Sequence, residues 1–292
     1  MINQLRSNFD ITELCDAFDI SRSGYYAAQT RPKSSRAAAN DSLGEQIQSL
    51  HQHRHTRAYG SPRMTHQLRE NGIPCSENRV ARLMRIHGLR ARPRRPFRPK
   101  TTDPDHSAHP SKNLLAHCLP PTEPGQQIVS DITYIPTAEG WLYLAIVLDL
   151  FSRAVLAWKV SDSLHSNLVC GALSQAMATG LVTKSAIFHS DRGCQYSSSQ
   201  FRTLLSSFEL RQSMSAKGCC YDNAFAESTF ASVKNEVLPD DHRFVSRHAA
   251  RIALFDYFET FYNSRRLHSS LDYVSPHTFL KNFFLSEHHS LN

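Results

Sequence analysis

The stretch that most restricts this chain is Gly140 to Ser161, GWLYLAIVLDLFSRAVLAWKVS. Its apolar run, Trp141 to Leu148, ends on Asp149 and is far shorter than the roughly 20 residues a membrane span takes. A nearly continuous run of this kind suits a buried strand, and AVLAWKVS reads as another after a tight turn at Ser152-Arg153. QQIVSDITYIPT, just before, is a strand candidate ending near Pro136. Residues 165–180 have helical apolar spacing and stop at Gly180; SAIFHS is a short buried strand. Ser197 to Phe208 reads as a helix, LRQSMS as a short strand and Asp222 to Glu236 as a longer helix. Helices over 246–264 and 275–284 finish the chain. Three strands followed by alternating helix and strand predict an α/β domain with a mixed sheet.

The first part of the chain has another texture. Residues 1–125 carry a net charge of +8 and residues 126–292 a net of −1. The excess points to a polyanion partner for the first part alone. Residues 12–28 read as two short helices, with Ser21 a cap for the second. Ser61-Pro62 starts a clearer helix that stops at Gly72, and Ser76 caps ENRVARLMRIHG. In that second helix Val80, Leu83, Met84 and His87 share a face, while Arg79, Arg82 and Arg85 lie away from it. The pair suits either a helix-turn-helix with an arginine-rich recognition helix or a small bundle with a solvated basic face. Nine Lys/Arg and no acid lie between Arg79 and Lys100, and eight of fourteen Pro between Pro93 and Pro124. Residues 90–125, with Arg92, Arg94 and Arg95, therefore read as an extended linker, lying along phosphates or serving as a solvated tether.

Seven Cys without a C-x-x-C argue against a disulfide framework, and His51, His53 and His55 lack a cysteine pair at zinc spacing. MINQLRSNFD has no apolar core of a signal peptide, so an intracellular protein is expected.

Three acids occupy positions where an acid is costly. Asp131 interrupts IVSDITYI, Asp191 follows AIF, and Glu227 lies on a helix with Phe225, Phe230 and Val233. Each alone fits an edge strand, a turn or a solvated helix face; together they should converge on a cation or on one another. Asn223, Glu227 and Lys234 share a helix face, as a metal ligand beside phosphate contacts would. Lys217 and Gly218 lie in the preceding loop, able to approach a substrate backbone.

SDITYI, LDLFSR, HSDRGCQY, SAKGCCYDNAFAESTFASVKNE and YNSRRLHSSLDYVSP resemble, in that order, the DDE transposase domain of bacterial insertion sequences. YGSPRMTHQLRENGI and RVARLMRIHGL resemble the helix-turn-helix that precedes it. The type is the second-frame product, OrfB, of the IS-three family, in the retroviral-integrase-like superfamily. The likeness spans roughly residues 11–284, and 35 residues separate Asp191 from Glu227, the spacing that marks the group. Ile128 stands where the family usually has Trp, and Cys220 where Pro is frequent.

The resemblance implies an RNase H-like mixed-sheet core preceded by an all-α helix-turn-helix region. On that reading residues 1–40 are an N-terminal helical segment, 41–90 the helix-turn-helix and 91–125 the basic linker; 126–240 are the catalytic core and 241–292 a helical extension. It also implies cleavage and joining of DNA at element ends, by a polynucleotidyl transferase. Asp131, Asp191 and Glu227 would be the catalytic metal ligands, for two Mg²⁺ (or Mn²⁺) ions that activate an oxygen and neutralise phosphate. Asp131 is read as the acid shared by both ions, with Asp149 as its rival or a structural neighbour. Gly193 lets the chain turn sharply after Asp191; His189 either orients that acid or is packed, and Arg192 serves the loop or DNA. Lys217, Asn223, Lys234, Arg79, Arg82, Arg85, Arg92, Arg94 and Arg95 are the candidate DNA contacts. Tyr262 is expected to pack; Asn263, Arg265, Arg266 and His268 are left open. Expected partners are terminal-repeat and target DNA, a second copy, and an upstream-frame product (OrfA) as partner or fusion, in the bacterial cytoplasm at the nucleoid. The rival reading is a DNA-binding regulator with an inactive RNase H-like domain.

Overall fold

The computed structural model describes residues 2–92, 111–216 and 224–290. The chain divides into two compact units, Met1–Gln48 and Ser49–Asn292. In the first, α1 (Ile2–Leu5) precedes the two expected short helices, α2 (Ile11–Ala17) and α3 (Arg22–Thr30). Asp10 caps α2 by accepting from the Thr12 N–H at 2.7 Å, and Ser21 caps α3 through the Gly24 N–H at 3.1 Å. Tyr25 donates to Asn3 Oδ1 at 2.8 Å and ties α3 to α1. An unexpected helix follows, α4 (Ser35–Gln52), in which only Leu43, Gly44 and Ile47 are buried. Its apolar period is too thin to read, and helix-forming residues such as Ala37, Ala38 and Ala39 carry it instead.

The second unit contains the expected helix pair, α5 (Ser61–Glu70) and α6 (Glu77–Ile86). Gly72 ends the turn at φ +81, and Ser76 caps α6 by accepting from the Arg79 N–H at 3.4 Å. Met64, Leu68, Val80, Leu83 and Met84 are buried. His87 is not on that face: α6 stops at Ile86, and His87 is its exposed C-cap.

The sheet begins with β1 (Gln127–Thr137), β2 (Gly140–Asp149) and β3 (Val155–Ser161), paired antiparallel. Helix α7 (Ser166–Ala178) crosses to β4 (Ile187–Ser190), and α8 (Cys194–Ser197) with α9 (Ser199–Ser207) leads to β5 (Arg211–Met214). Both late strands run parallel, β4 to β1 and β5 to β4, in the order β3-β2-β1-β4-β5. This is the RNase H-like order. The helix expected from Ser197 to Phe208 is interrupted because Ser198 is extended (ψ 146) and caps α9, accepting from the Phe201 N–H at 3.3 Å.

One face of the sheet packs Ile128, Val147 and Phe188 against Leu168 and Leu173 of α7 and Phe201 of α9. The other meets α10 (Ala224–Val237), which lies on β1, and α11 (Arg247–Phe255), which lies on β1 and β2. A π-helical turn (Asp256–Tyr262) and α12 (Pro276–Ser290) complete the chain. Successive β1 side chains alternate in direction. Ser130 therefore bonds Tyr196 of α8 at 2.8 Å, while Asp131, with Ile146 as its cross-strand partner, faces α10.

Candidate active site

Parallel pairing of β4 with β1 sets His189 beside Val129, so the chain leaves β4 next to the middle of β1 and brings Asp191 to Asp131. Both carboxyls are pushed above the usual carboxylate range. Burial is the main cause at each, and the charges of Asp191 and then Glu227 add to it at Asp131. Asp131 Oδ1 accepts from the Ile132 N–H at 2.8 Å, and Asp191 Oδ1 from the Gly193 N–H at 3.0 Å. Gly193 is not there for a left-handed turn, since its φ is −56. A Cβ on it would stand 3.0 Å from Asp191 Oδ1 and 3.1 Å from Gln195 Oε1. The glycine keeps the acid's approach clear.

Glu227 sits exposed in the first turn of α10, and Lys234 follows on the same helix face. Burial brings the Lys234 ammonium down to about 8, with Asp131 opposing. The Tyr196 phenol, on the far side of β1, is raised by burial and then by Asp131 and Asp191. Among the described residues no three His, Cys, Asp or Glu groups stand together closely enough to hold a metal ion. Asp131 and Asp191 form the assembled pair, and Glu227 acts on Asp131 through its charge. In chemistry the set fits a hard divalent cation: oxygen donors only, with both aspartate carboxyls raised in the absence of a countercharge.

Asp149 is a structural residue. Its Oδ1 accepts from the Gly125 N–H at 2.9 Å, and its Oδ2 from the Ser152 N–H at 2.9 Å and the Ser152 hydroxyl at 2.6 Å. His189 is packed, its ring nitrogens 2.8 and 3.1 Å from the hydroxyls of Ser213 and Ser215. Arg192 serves the loop, donating to the Ser215 carbonyl at 2.7 Å. Phe225 is no apolar partner of α10's buried face: it is 44% exposed, under the Arg153 guanidinium at 4.0 Å. His55 lies 2.9 Å from Asp256 Oδ2.

Of the candidate DNA contacts, Arg82 and Arg85 are exposed on α6 and Arg79 is half-buried there. Arg92 donates to the carbonyls of Asn235, Leu238 and Pro239, at the C-terminal end of α10. Arg94, Arg95, Lys217 and Asn223 lie outside the described residues. Tyr262 is packed, and Asn263 pairs with the Val155 backbone of β3 through both amide atoms, at 2.9 and 2.8 Å. Arg266 and His268 are buried, while Arg265 is exposed. Glu236, not among the candidate site residues, is a further buried acid. Its carboxylate is 2% exposed and takes two bonds from Arg266, at 2.8 and 2.7 Å, and one from Tyr257 at 2.6 Å. An acid at a buried helical position beside YNSRRLH was the available signal.

Comparison with known proteins gives concordant matches. Integrase core domain models match residues 121–220 and 209–276, and an HTH-like domain model matches residues 38–97. Transposase InsF for insertion sequence IS3A of Escherichia coli (strain K12) is 39% identical over 281 residues, covering 95% of this chain and 96% of its own. The 31 kDa protein of insertion element IS600 from Shigella sonnei is 37% identical over 270 residues, covering 92% and 98%. The solved HTLV-2 integrase catalytic core in complex with magnesium (trimeric form) matches at TM-score 0.41 and 18% identity, over 54% of this chain and 97% of that one.

Proposed function

This chain belongs to the IS3 family of insertion-sequence transposases, and from that premise we propose how it works. It cuts and joins DNA at the ends of its element, with Asp131, Asp191 and Glu227 as ligands for Mg²⁺ or Mn²⁺, two ions in all. What carries the reading is the half-buried Asp131–Asp191 pair on the face of β1 that meets α10, where the charge of Asp191 raises the Asp131 carboxyl. Bound there, the ions would activate a nucleophilic oxygen, neutralise the phosphate and stabilise the leaving oxygen.

The chain's own residues do the rest. Lys234, on Glu227's face of α10, meets the phosphate backbone, and Lys217 and Asn223 are further DNA contacts. Arg79, Arg82 and Arg85 engage the terminal repeats, and Arg94 and Arg95 follow the phosphates beyond. In the first step a water oxygen attacks phosphorus at the element end and the bond to the adjoining 3′ oxygen breaks, leaving a 3′-OH. In the second that hydroxyl loses its proton and attacks a target phosphorus. The bond from that phosphorus to the target's 3′ oxygen breaks to leave a target 3′-OH, and no covalent enzyme intermediate forms. Bringing two ends together requires at least two copies, and an upstream-frame product serves as partner or fusion. The setting is the bacterial cytoplasm, at the nucleoid. No helix among the described residues is long and apolar enough to cross a membrane.

Asp191→Asn and Glu227→Gln test the reading. Loss of Mg²⁺-dependent nicking at element ends, with DNA binding retained, is the expected result. Unchanged nicking would overturn the site assignment, and a wild type that binds ends but never nicks them would favour the regulator.

A further inference from the structure

Three arginines from the basic first part of the chain converge on the far end of α10, the helix that carries Glu227. A helix leaves its last carbonyls without partners and gathers partial negative charge there. Arg92 meets both needs: Nη1 donates to Asn235 O at 3.1 Å and Leu238 O at 2.5 Å, and Nη2 to Pro239 O at 2.7 Å. Arg57 Nη2 adds a bond to Leu238 O at 3.2 Å, and Asn235 Nδ2 donates back to the Arg92 carbonyl at 3.2 Å. Arg63 of α5 stands 3.8 Å from Glu236 Oε1. The Arg92 side chain is 15% exposed, and both it and Arg57 lie 3.6 Å from Asp240. A guanidinium spent on three carbonyls has few N–H groups left for phosphate.

The position of Arg92 gives this anchor its meaning. It follows α6 by six residues (Ile86 to Arg92), at the start of the linker, and so couples the chain leaving the helix-turn-helix segment to α10. Glu227 occupies the opposite end, in the first turn. Among the described residues it is not part of a three-ligand set, so the seating of α10 sets how far it stands from Asp131 and Asp191. We propose that Arg92 is a positioning residue for the catalytic step: by locking the C-terminal end of α10 to the helix-turn-helix segment, it sets where Glu227 stands relative to the two aspartates. This rests on the transposase site proposed above.

The test uses the full-length chain with Arg92→Gln, Arg92→Lys and Asn235→Ala, and Asp191→Asn as the site control. Four quantities are read: nicking rate on end DNA, direct Mn²⁺ binding to the protein, the salt dependence of end binding, and amide exchange along α10. Arg92→Gln should slow nicking at least tenfold, weaken Mn²⁺ binding several-fold and speed exchange in α10. End affinity and its salt slope should not change. Arg92→Lys, which keeps a cation at the helix end, should restore part of the rate, and Asn235→Ala should repeat the defect in milder form. Should Arg92→Gln fail to fold, the other two variants carry the same expectations. A salt slope lowered by about one, the mark of a lost phosphate contact, would overturn the proposal in favour of DNA binding. Unchanged Mn²⁺ binding and nicking would overturn it as well. If Asp191→Asn still nicks, the site itself is wrong; if Asp191→Asn is dead while the Arg92 variants behave as wild type, the anchor alone falls.

Discussion

At the scale of single residues, the two aspartates place a charge conflict where the proposed metals would resolve it. Asp131 is held above its ordinary value of 3.8, by burial first and by Asp191 next. A carboxyl whose folded pKa is raised contributes stability fully below its unfolded pKa and loses it as pH climbs through the folded value. Metal-free wild type should therefore weaken, relative to Asp131→Asn, from about pH 4 toward neutrality. At pH 7.5 the variant should melt roughly 2–4 °C higher, equivalent to about 1 kcal/mol. Mg²⁺ should narrow or reverse that gap by stabilising only the wild type. Thermal melts at both pH values with and without metal read this directly, and a wild type that Mg²⁺ leaves unmoved would count against the pair as ligands. Glu227 stands exposed on α10, outside the Asp131–Asp191 pair. That pair was legible in the sequence, because one acid interrupts the apolar IVSDITYI and the other follows AIF. The local reason for Gly193 was not: it depends on the distance from a Cβ to Asp191 Oδ1, a quantity no pattern of residue types contains.

At the scale of elements, caps and periodicity made the helix pair legible: Pro62, Gly72 and Ser76 bound α5 and α6 where punctuation said they would. The same logic failed for α4, whose few buried side chains leave no stripe to read. The far end of α10 was illegible for another reason, since its partner Arg92 lies 143 residues from Asn235. Contacts so distant in sequence are set by topology, and a basic run looks the same whether it meets carbonyls or phosphates. This difference sorts the arginines. Arg82 and Arg85 are exposed on α6, on the side expected to face DNA. Replacing both with Ala should weaken end binding across sequences and lower the salt slope by about two, near 0.9 per phosphate. Titrations of end DNA at several salt concentrations measure this. A slope that stays put would remove α6 from the interface.

For the molecule as a whole, α10, the helix-turn-helix segment and the C-terminal extension meet at one buried ion pair. Glu236 of α10 meets Arg266 of the extension in a two-pronged bond, with Tyr257 donating beside it and Arg63 of α5 at 3.8 Å. Tyr59, preceding α5, accepts from the Leu267 N–H at 3.2 Å, and burial raises its phenol to about 12. His268, buried and flanked by Arg266, Arg63 and Arg153, is driven down to about 2 and remains neutral. Burial alone would raise the Glu236 carboxyl, but Arg266, the Tyr257 hydroxyl and Arg63 together hold it below its usual 4.5. A buried pair of this kind gains little over an apolar replacement, yet losing one partner strands the other charge. Glu236→Gln should cost about 3–5 kcal/mol, seen as a lower denaturant midpoint at unchanged slope. A depressed carboxyl gives stability that is complete above the unfolded pKa and fades as pH falls through the folded one. The gap between wild type and Glu236→Gln should therefore hold steady above about pH 5 and shrink below pH 4.5. A gap that persists unchanged at pH 3 would mean that the hydrogen-bond network of Glu236, rather than its charge, joins the extension to the core.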